Sequence, residues 1–253
     1  MGVIVMDTAT DALGVAAGRM DGTLLSAVTQ RVPRGHSRLL QPSVQFVMKS
    51  AGFSAGDIVR IGVGTGPGSY TGVRMAVSTG KAMAHALRVP LVTVPTLDAI
   101  ALAAGMGAVP PAGADQSAAK QAVLVLLFAR RHRAFGGWFA LANGQLCQRS
   151  QAEVKPIEAW LNEVPGGKAC GIPLLVHDLP QAELEPHCSR HAFQFATWSD
   201  VCTRFSDALF RLSLKDDYPV FEGERIHTVL PDYALPVEAE AKLQSQREGG
   251  ARP

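Results

Sequence analysis

One stretch of this sequence, residues 57–87, constrains the fold more than any other. It begins with a short apolar run at 58–63 that is rich in β-branched residues, which predicts a buried strand. A turn with four glycines follows, and glycine suits a corner that needs positive φ or close backbone approach. A helical pattern then continues to residue 87, with Ser69 or Thr71 as its N-cap. The stretch therefore predicts a strand, a tight corner and a long helix.

The predicted helix carries a row of very small residues. Gly72, Ala76, Gly80 and Ala84 are spaced four apart, so they lie on one face of the helix. A glycine in the middle of a helix costs roughly 1 kcal/mol relative to alanine. Such a row is expected where another backbone packs very close, and we predict that a helix of another protein crosses there.

The start of this helix is also a candidate anion site, because its free N–H groups and its dipole both favour negative charge. The standard phosphate-loop and dinucleotide patterns are absent, and Tyr70 stands where a nucleophile elbow would have serine. Two interpretations stay open, a nucleotide or anion contact and a purely structural turn. The residues of the candidate anion loop are Asp7, Gly66, Gly68, Ser69 and Thr71. Asp7 follows the first predicted strand, where it faces a phosphate and metal or closes a turn with its own backbone.

The glycine turn resembles a known family signature. The letters GTGPGSYTGVR match the G-x-G-P-G-S-[FY]-T-G-[LV]-R pattern of the TsaB (YeaZ) family, a bacterial component of the machinery that makes threonylcarbamoyladenosine in tRNA. VIVMDTAT at the start, HSRLLQPSV before the turn and PLVTVPTLDAIA after it also match. The resemblance is strong over residues 1–104 and weak beyond them. It implies an α/β fold of two ribonuclease-H-like (actin-like ATPase, ASKHA) subdomains, the second degenerate.

The order of predicted elements agrees with that fold. Three strands, a helix, a strand, a helix, a strand and a helix fill residues 1–104, which we expect to form the N-terminal subdomain. Residues 105–119 are rich in glycine and proline and predict a flexible connecting loop. A second, weaker copy of the pattern predicts the C-terminal subdomain at 120–237, and the polar tail at 238–253 is expected to be disordered.

The resemblance further implies a function. Chains of this family are expected to act as a non-catalytic scaffold or activating subunit, docked through their N-terminal helices on a TsaD-like catalytic subunit and working with a TsaE-like ATPase. Alone, such a chain is expected to pair with a second copy, and its contact with tRNA is indirect or weak. No tightly bound cofactor or metal is expected, and ATP or ADP at the interface with the TsaD-like subunit stays open. The predicted interface residues are Leu40, Val44, Val47, Gly72, Arg74, Ala76, Gly80, Lys81 and Ala84.

An enzyme is the alternative: an actin-like ATP-dependent phosphotransferase, or a homologue of the M22-type peptidases. The phosphotransferase would use Asp7 and the 64–72 turn and needs a second acid at the start of the second subdomain, where Phe128 stands. Relatives usually carry an acid there, followed by a basic pair and Glu-Val-Tyr, and the sequence at 128–135 departs from that pattern. No arrangement of nucleophile, base and acid supports a peptidase.

Composition and the remaining motifs narrow the range of possible functions. The chain has 24 Lys and Arg against 22 Asp and Glu, which argues against a strong nucleic-acid surface. Four cysteines without a C-x-x-C pair, and no signal or membrane segment, predict a cytoplasmic protein. The basic run at 130–133 is a solvated hairpin or a contact for tRNA phosphates. His187 and His191 have metal-ligand spacing, but Pro186 argues against the helix that would align them.

Overall fold

The computed structural model describes residues 1–107, 120–163, 172–188 and 192–234. It contains two six-stranded sheets, each built from an antiparallel meander that parallel strands extend. The expected α/β fold of two actin-like subdomains is therefore confirmed. In the described ranges, no helix combines the length and the apolar character that crossing a membrane requires.

The first sheet carries the N-terminal half of the chain. Its strands lie in the order β12-β5-β4-β1-β2-β3, in which β12 (Val220–Phe221) comes from the second half of the chain. The elements of this half are β1 (Gly2–Asp7), β2 (Ala12–Arg19), β3 (Leu24–Arg31), α1 (His36–Ser50), β4 (Ile58–Gly64), α2 (Tyr70–Leu87), β5 (Leu91–Val94) and α3 (Thr96–Gly105). Helices α1 and α2 cover one face of the sheet, where their apolar residues share a core with β1, β2 and β4. This half follows the predicted order of elements closely.

The second sheet has the strand order β11-β10-β6-β7-β8, with β9 also paired to β7. The elements of this half are β6 (Gln121–Phe128), β7 (Arg133–Ala142), β8 (Gln145–Arg149), β9 (Glu153–Pro156), α4 (Ile157–Asn162), β10 (Leu174–His177), α5 (Gln181–Cys188), β11 (Gln194–Thr197), α6 (Trp198–Val201), α7 (Phe205–Ser213) and β12 (Val220–Phe221). The helical segment at 198–213 is divided into α6, a 3₁₀ turn and α7.

The C-terminal part of the chain returns to the first sheet, so the predicted span of 120–237 for the second subdomain is wrong at its end. Helix α7 packs on β1, β2 and β3, and β12 pairs antiparallel with β5. The physical reason is that α1 and α2 cover only one apolar face of the first sheet, so the opposite face must be buried by another element. Phe205, Leu209 and Phe210 of α7 are fully buried against it. Most of the predicted connecting loop and the predicted tail lie outside the described residues.

Candidate functional site

The row of small residues on α2 faces this protein's own sheet. Gly72, Ala76, Gly80 and Ala84 are all buried. A Cβ added at Gly80 would overlap Cγ1 of Val63 in β4. The prediction that this row receives a helix of another protein is therefore wrong. The close backbone approach that the row indicated is real, but the surface that approaches belongs to the same chain.

The apolar positions predicted for the interface on α1 are buried as well. Leu40, Val44 and Val47 are at most 3% exposed and pack into the core beneath the helix. They are core residues, and their assignment to a partner interface is wrong. Amphipathic spacing identifies the buried stripe of a helix, which in this chain faces the first sheet.

The remaining two predicted interface residues reach the surface. Arg74 is exposed, and Lys81 is partly exposed. The Lys81 ammonium donates hydrogen bonds to the carbonyl oxygens of His227, at 2.8 Å, and Val229, at 3.0 Å. Lys81 thus fastens the C-terminal segment to the flank of α2, and only Arg74 is free to meet a partner.

A second row of small residues points outward from α2. Ser78, Ala82 and Ala86 are also spaced four apart, and all three are exposed. On helix α1, which covers the same face of the sheet, the Phe46 side chain is 58% exposed. We call these four residues the outer face. The spacing that marked the buried row marks this row equally, and the sequence alone does not say which of the two faces the sheet.

Asp7 and Gly66 of the candidate anion loop lie behind the glycine turn. Asp7 is fully buried, and its carboxylate accepts hydrogen bonds from the Ala9 N–H and the Thr96 hydroxyl, both at 2.6 Å. The Gly66 N–H donates to Thr96 Oγ1 at 3.0 Å. Burial raises the pKa of Asp7, and a Cβ at Gly64 would collide with its carboxylate. Asp7 closes a turn and braces the glycine corner, so its assignment and that of Gly66 to an anion loop are wrong.

The other three loop residues line a cleft between the two sheets. Gly68, Ser69 and Thr71 form part of the wall of a cavity of about 900 Å³. Ser69 is the N-cap of α2, since its hydroxyl accepts the N–H of Gly72 at 3.4 Å. The carboxyl ends of parallel strands from both sheets point toward this cleft, which is where α/β proteins commonly bind ligands. No group of three metal-ligating side chains occurs within the described ranges.

Two acids of the cleft are held by bonds within the chain. Asp11 accepts from the Arg31 guanidinium at 2.6 Å and from the Trp198 indole N–H at 2.7 Å. The Phe128 N–H donates to Asp178 at 2.6 Å. Sequence reasoning missed Asp178, although its position directly after strand β10 is one where polar side chains reach a cleft. The walls of the cleft raise the pKa of Asp178 to about 6.

The raised pKa of Asp178 predicts a pH-dependent gain of stability in the Asp178→Asn variant. The folded-state pKa lies above the ordinary value of 3.8, so the ionised carboxylate costs stability at neutral pH and the cost vanishes in acid. After solvent screening we expect the variant to be more stable by about 1 kcal/mol at pH 7.5. Urea unfolding at pH 7.5 and pH 3.5 measures this difference, and an equal gain at both pH values contradicts the assignment.

The basic run forms a tight hairpin turn. Arg130, Arg131 and His132 all have positive φ, at 65°, 52° and 56°. The His132 ring pairs with Glu183 at 2.7 Å, and Arg133 donates to a backbone carbonyl at 3.1 Å. The side chains of His132 and Arg133 are thus engaged in contacts within the protein. The side chains of His187 and His191 lie outside the described residues.

Comparison with known proteins decides the family. The model of the family "TsaD: tRNA N6-adenosine threonylcarbamoyltransferase" matches residues 27–231. The TsaB protein of Bacillus subtilis is 28% identical over 250 residues, which cover 98% of this chain and 100% of the relative. The chain belongs to the TsaB (YeaZ) family.

A further sequence comparison agrees with this assignment, and a structural comparison agrees with the fold. The Escherichia coli TsaB protein is 37% identical over 97 residues, or 38% of this chain and 41% of the relative. YeaZ from Pseudomonas aeruginosa superimposes with a TM-score of 0.68 and 22% identity, covering 92% of this chain and 99% of that structure. The curated TsaB relatives are named as tRNA threonylcarbamoyladenosine biosynthesis proteins.

Proposed function

We propose that this chain is a non-catalytic subunit of the machinery that makes threonylcarbamoyladenosine in tRNA. It docks on a TsaD-like catalytic subunit and works with a TsaE-like ATPase. Without them it pairs with a second copy through the same surface, and its contact with tRNA is indirect or weak. Any ATP or ADP is bound at the interface with the TsaD-like subunit. The names of the curated relatives and of the matching family support this proposal.

The observation that carries the proposal is the outer face. Ser78, Ala82 and Ala86 leave a shallow strip along α2 on which a backbone can lie close, and the Phe46 ring on α1, which covers the same face of the sheet, is also exposed. An exposed aromatic and a strip of small residues on one layer of helices are typical of a surface that another protein covers. The proposal therefore moves the docking surface from the buried row to the opposite side of the same helix.

The burial of Asp7 and the hydrogen bonds of Asp11 support a non-catalytic role. A phosphotransferase would need Asp7 at the cleft, but Asp7 is enclosed by Thr96 and Gly64. Asp11 is committed to Arg31 and Trp198, which tie the two halves of the chain together. These observations favour a binding role over the phosphotransferase alternative.

The Ala82→Trp variant tests the docking surface. Ala82 is exposed, so the bulky ring leaves the fold intact but holds a partner backbone away from α2. We expect its affinity for the cognate TsaD-like subunit to fall at least about 100-fold, as for a disrupted interface centre. Titration calorimetry measures the affinity, and thermal unfolding verifies the fold.

Ala182→Trp is the matched control, because Ala182 is exposed on helix α5, in the second half of the chain. We expect it to bind the TsaD-like subunit as tightly as the unmodified protein. If Ala82→Trp also binds normally, the outer face is not the docking surface and the proposal is overturned.

A further inference from the structure

Resting on the proposed docking through the outer face, we propose that Arg74 is a pre-oriented anchor for a carboxylate side chain of the docked protein. Arg74 lies four residues before Ser78 and eight before Ala82, so it stands at the end of the strip of small residues. A backbone that lies along the strip brings its own side chains to this guanidinium.

The Arg74 side chain is held in place by its neighbour one turn earlier. Its Nη1 donates a hydrogen bond to the Tyr70 hydroxyl at 2.7 Å. Its guanidinium carbon lies 5.3 Å from the centroid of the Tyr70 ring. Holding a long side chain before binding reduces the entropy that is lost when a partner arrives. Arg74 therefore suits the recognition of a partner's side chain better than a surface arginine that moves freely would.

Tyr70 is braced in turn by the C-terminal segment. Its ring is 47% exposed and stacks on Tyr233 with centroids 4.7 Å apart. The residue before Tyr233 is fastened to the glycine turn, since the Asp232 N–H donates to the Thr65 carbonyl oxygen at 2.7 Å. Tyr233 is thus a positioning residue for Arg74 and acts through its stack on Tyr70.

The guanidinium retains donors for a partner. Within the described part of the chain, no carboxylate lies at ion-pair distance from Arg74, and its one hydrogen bond goes to Tyr70. The Nε and Nη2 groups form the kind of planar fork that binds a carboxylate with two parallel hydrogen bonds. Because the adjoining strip admits a polypeptide backbone, we assign the occupant as an Asp or Glu side chain of a protein.

The test compares substitutions that differ in charge and in geometry. For binding to the cognate TsaD-like subunit, we expect Arg74→Glu to lose at least about 100-fold in affinity and Arg74→Lys about 10-fold. Tyr70→Phe removes the hydroxyl acceptor but keeps the stack, and should lose about threefold. Tyr233→Leu removes the ring stack but keeps the Tyr70 hydroxyl, and should also lose about threefold. Thermal unfolding verifies that each variant is folded.

A charge-reversal scan of the acidic residues on the TsaD-like subunit identifies the partner group. One Asp→Arg or Glu→Arg change there should restore binding to Arg74→Glu while weakening binding to the unmodified chain. Normal binding by Arg74→Glu together with loss in Ala82→Trp overturns the anchor but leaves the docking surface standing. Normal binding by both variants overturns the proposed docking itself. If Arg74→Glu instead weakens binding of fluorescent tRNA and not of the subunit, a phosphate is the occupant and the inference is wrong.

Discussion

The Gly80→Leu variant is expected to lose most of its stability. A Cβ at this position would overlap Cγ1 of Val63, and the Leu91 side chain lies 3.4 Å from it on the other side. Leucine adds three further carbon atoms to a site that has no room for one. Overpacking of this kind costs at least about 3 kcal/mol, against a total stability of about 5–15 kcal/mol for a typical domain. Urea unfolding followed by circular dichroism measures the loss.

Ala82→Leu is the matched control, since it introduces the same side chain into the same helix two residues later. Ala82 is exposed, so we expect a change within about 0.5 kcal/mol. The pair separates the two rows of α2, because one position carries the fold and the other carries the proposed docking. A Gly80→Leu protein as stable as the Ala82→Leu protein contradicts the packing of α2 on β4.

The elements of the first half could be predicted because each one depends on local pattern. The β-branched run of β4, the glycine corner and the Ser69 N-cap all appear where the sequence indicates them. The contacts that a residue makes with distant parts of the chain leave no local signal in the sequence. Thr96 illustrates this, because it stands directly before the apolar run of α3, yet its hydroxyl bonds to Asp7, 89 residues away, and does not cap that helix. Tertiary hydrogen bonding therefore replaced the local role.

The orientation of α2 could not be predicted for a related reason. Two rows of small residues, one through Gly80 and one through Ala82, have the same spacing on the same helix. Only the position of β4 decides that the glycine row faces inward. The cleft also escaped prediction, since Asp178 and the Phe128 N–H meet across 50 residues of sequence. Sequence spacing identifies close packing but does not identify what packs.

The return of the C-terminal segment matters for the proposed function. Lys81 holds the carbonyls of His227 and Val229, and Tyr233 supports Tyr70 at the start of α2. The helix that carries the outer face is therefore fixed on its inner side by β4 and along its flank by residues near the end of the chain. A rigid docking helix binds with less loss of conformational entropy than a mobile one.

The Thr96→Val variant is expected to lose about 3 kcal/mol of stability at pH 7, because the buried Gly66 N–H and one oxygen of the buried Asp7 carboxylate lose their hydrogen bonds to Thr96. The Thr96 hydroxyl donates to the Asp7 carboxylate at 2.6 Å and accepts from the Gly66 N–H at 3.0 Å. Valine has nearly the same shape but can do neither. Chemical unfolding at several pH values measures the loss.

Thr93→Val provides the control within the preceding strand. Thr93 is 8% exposed, and its side chain makes no hydrogen bond in the described part of the chain, so we expect less than about 1 kcal/mol of change. The pH series adds a second criterion. Burial already raises the pKa of Asp7, and without the hydroxyl the ionised carboxylate is penalised further. The loss in Thr96→Val should therefore shrink as the pH falls through that raised pKa, while a loss that is constant with pH contradicts an ionised Asp7 at the base of the glycine turn.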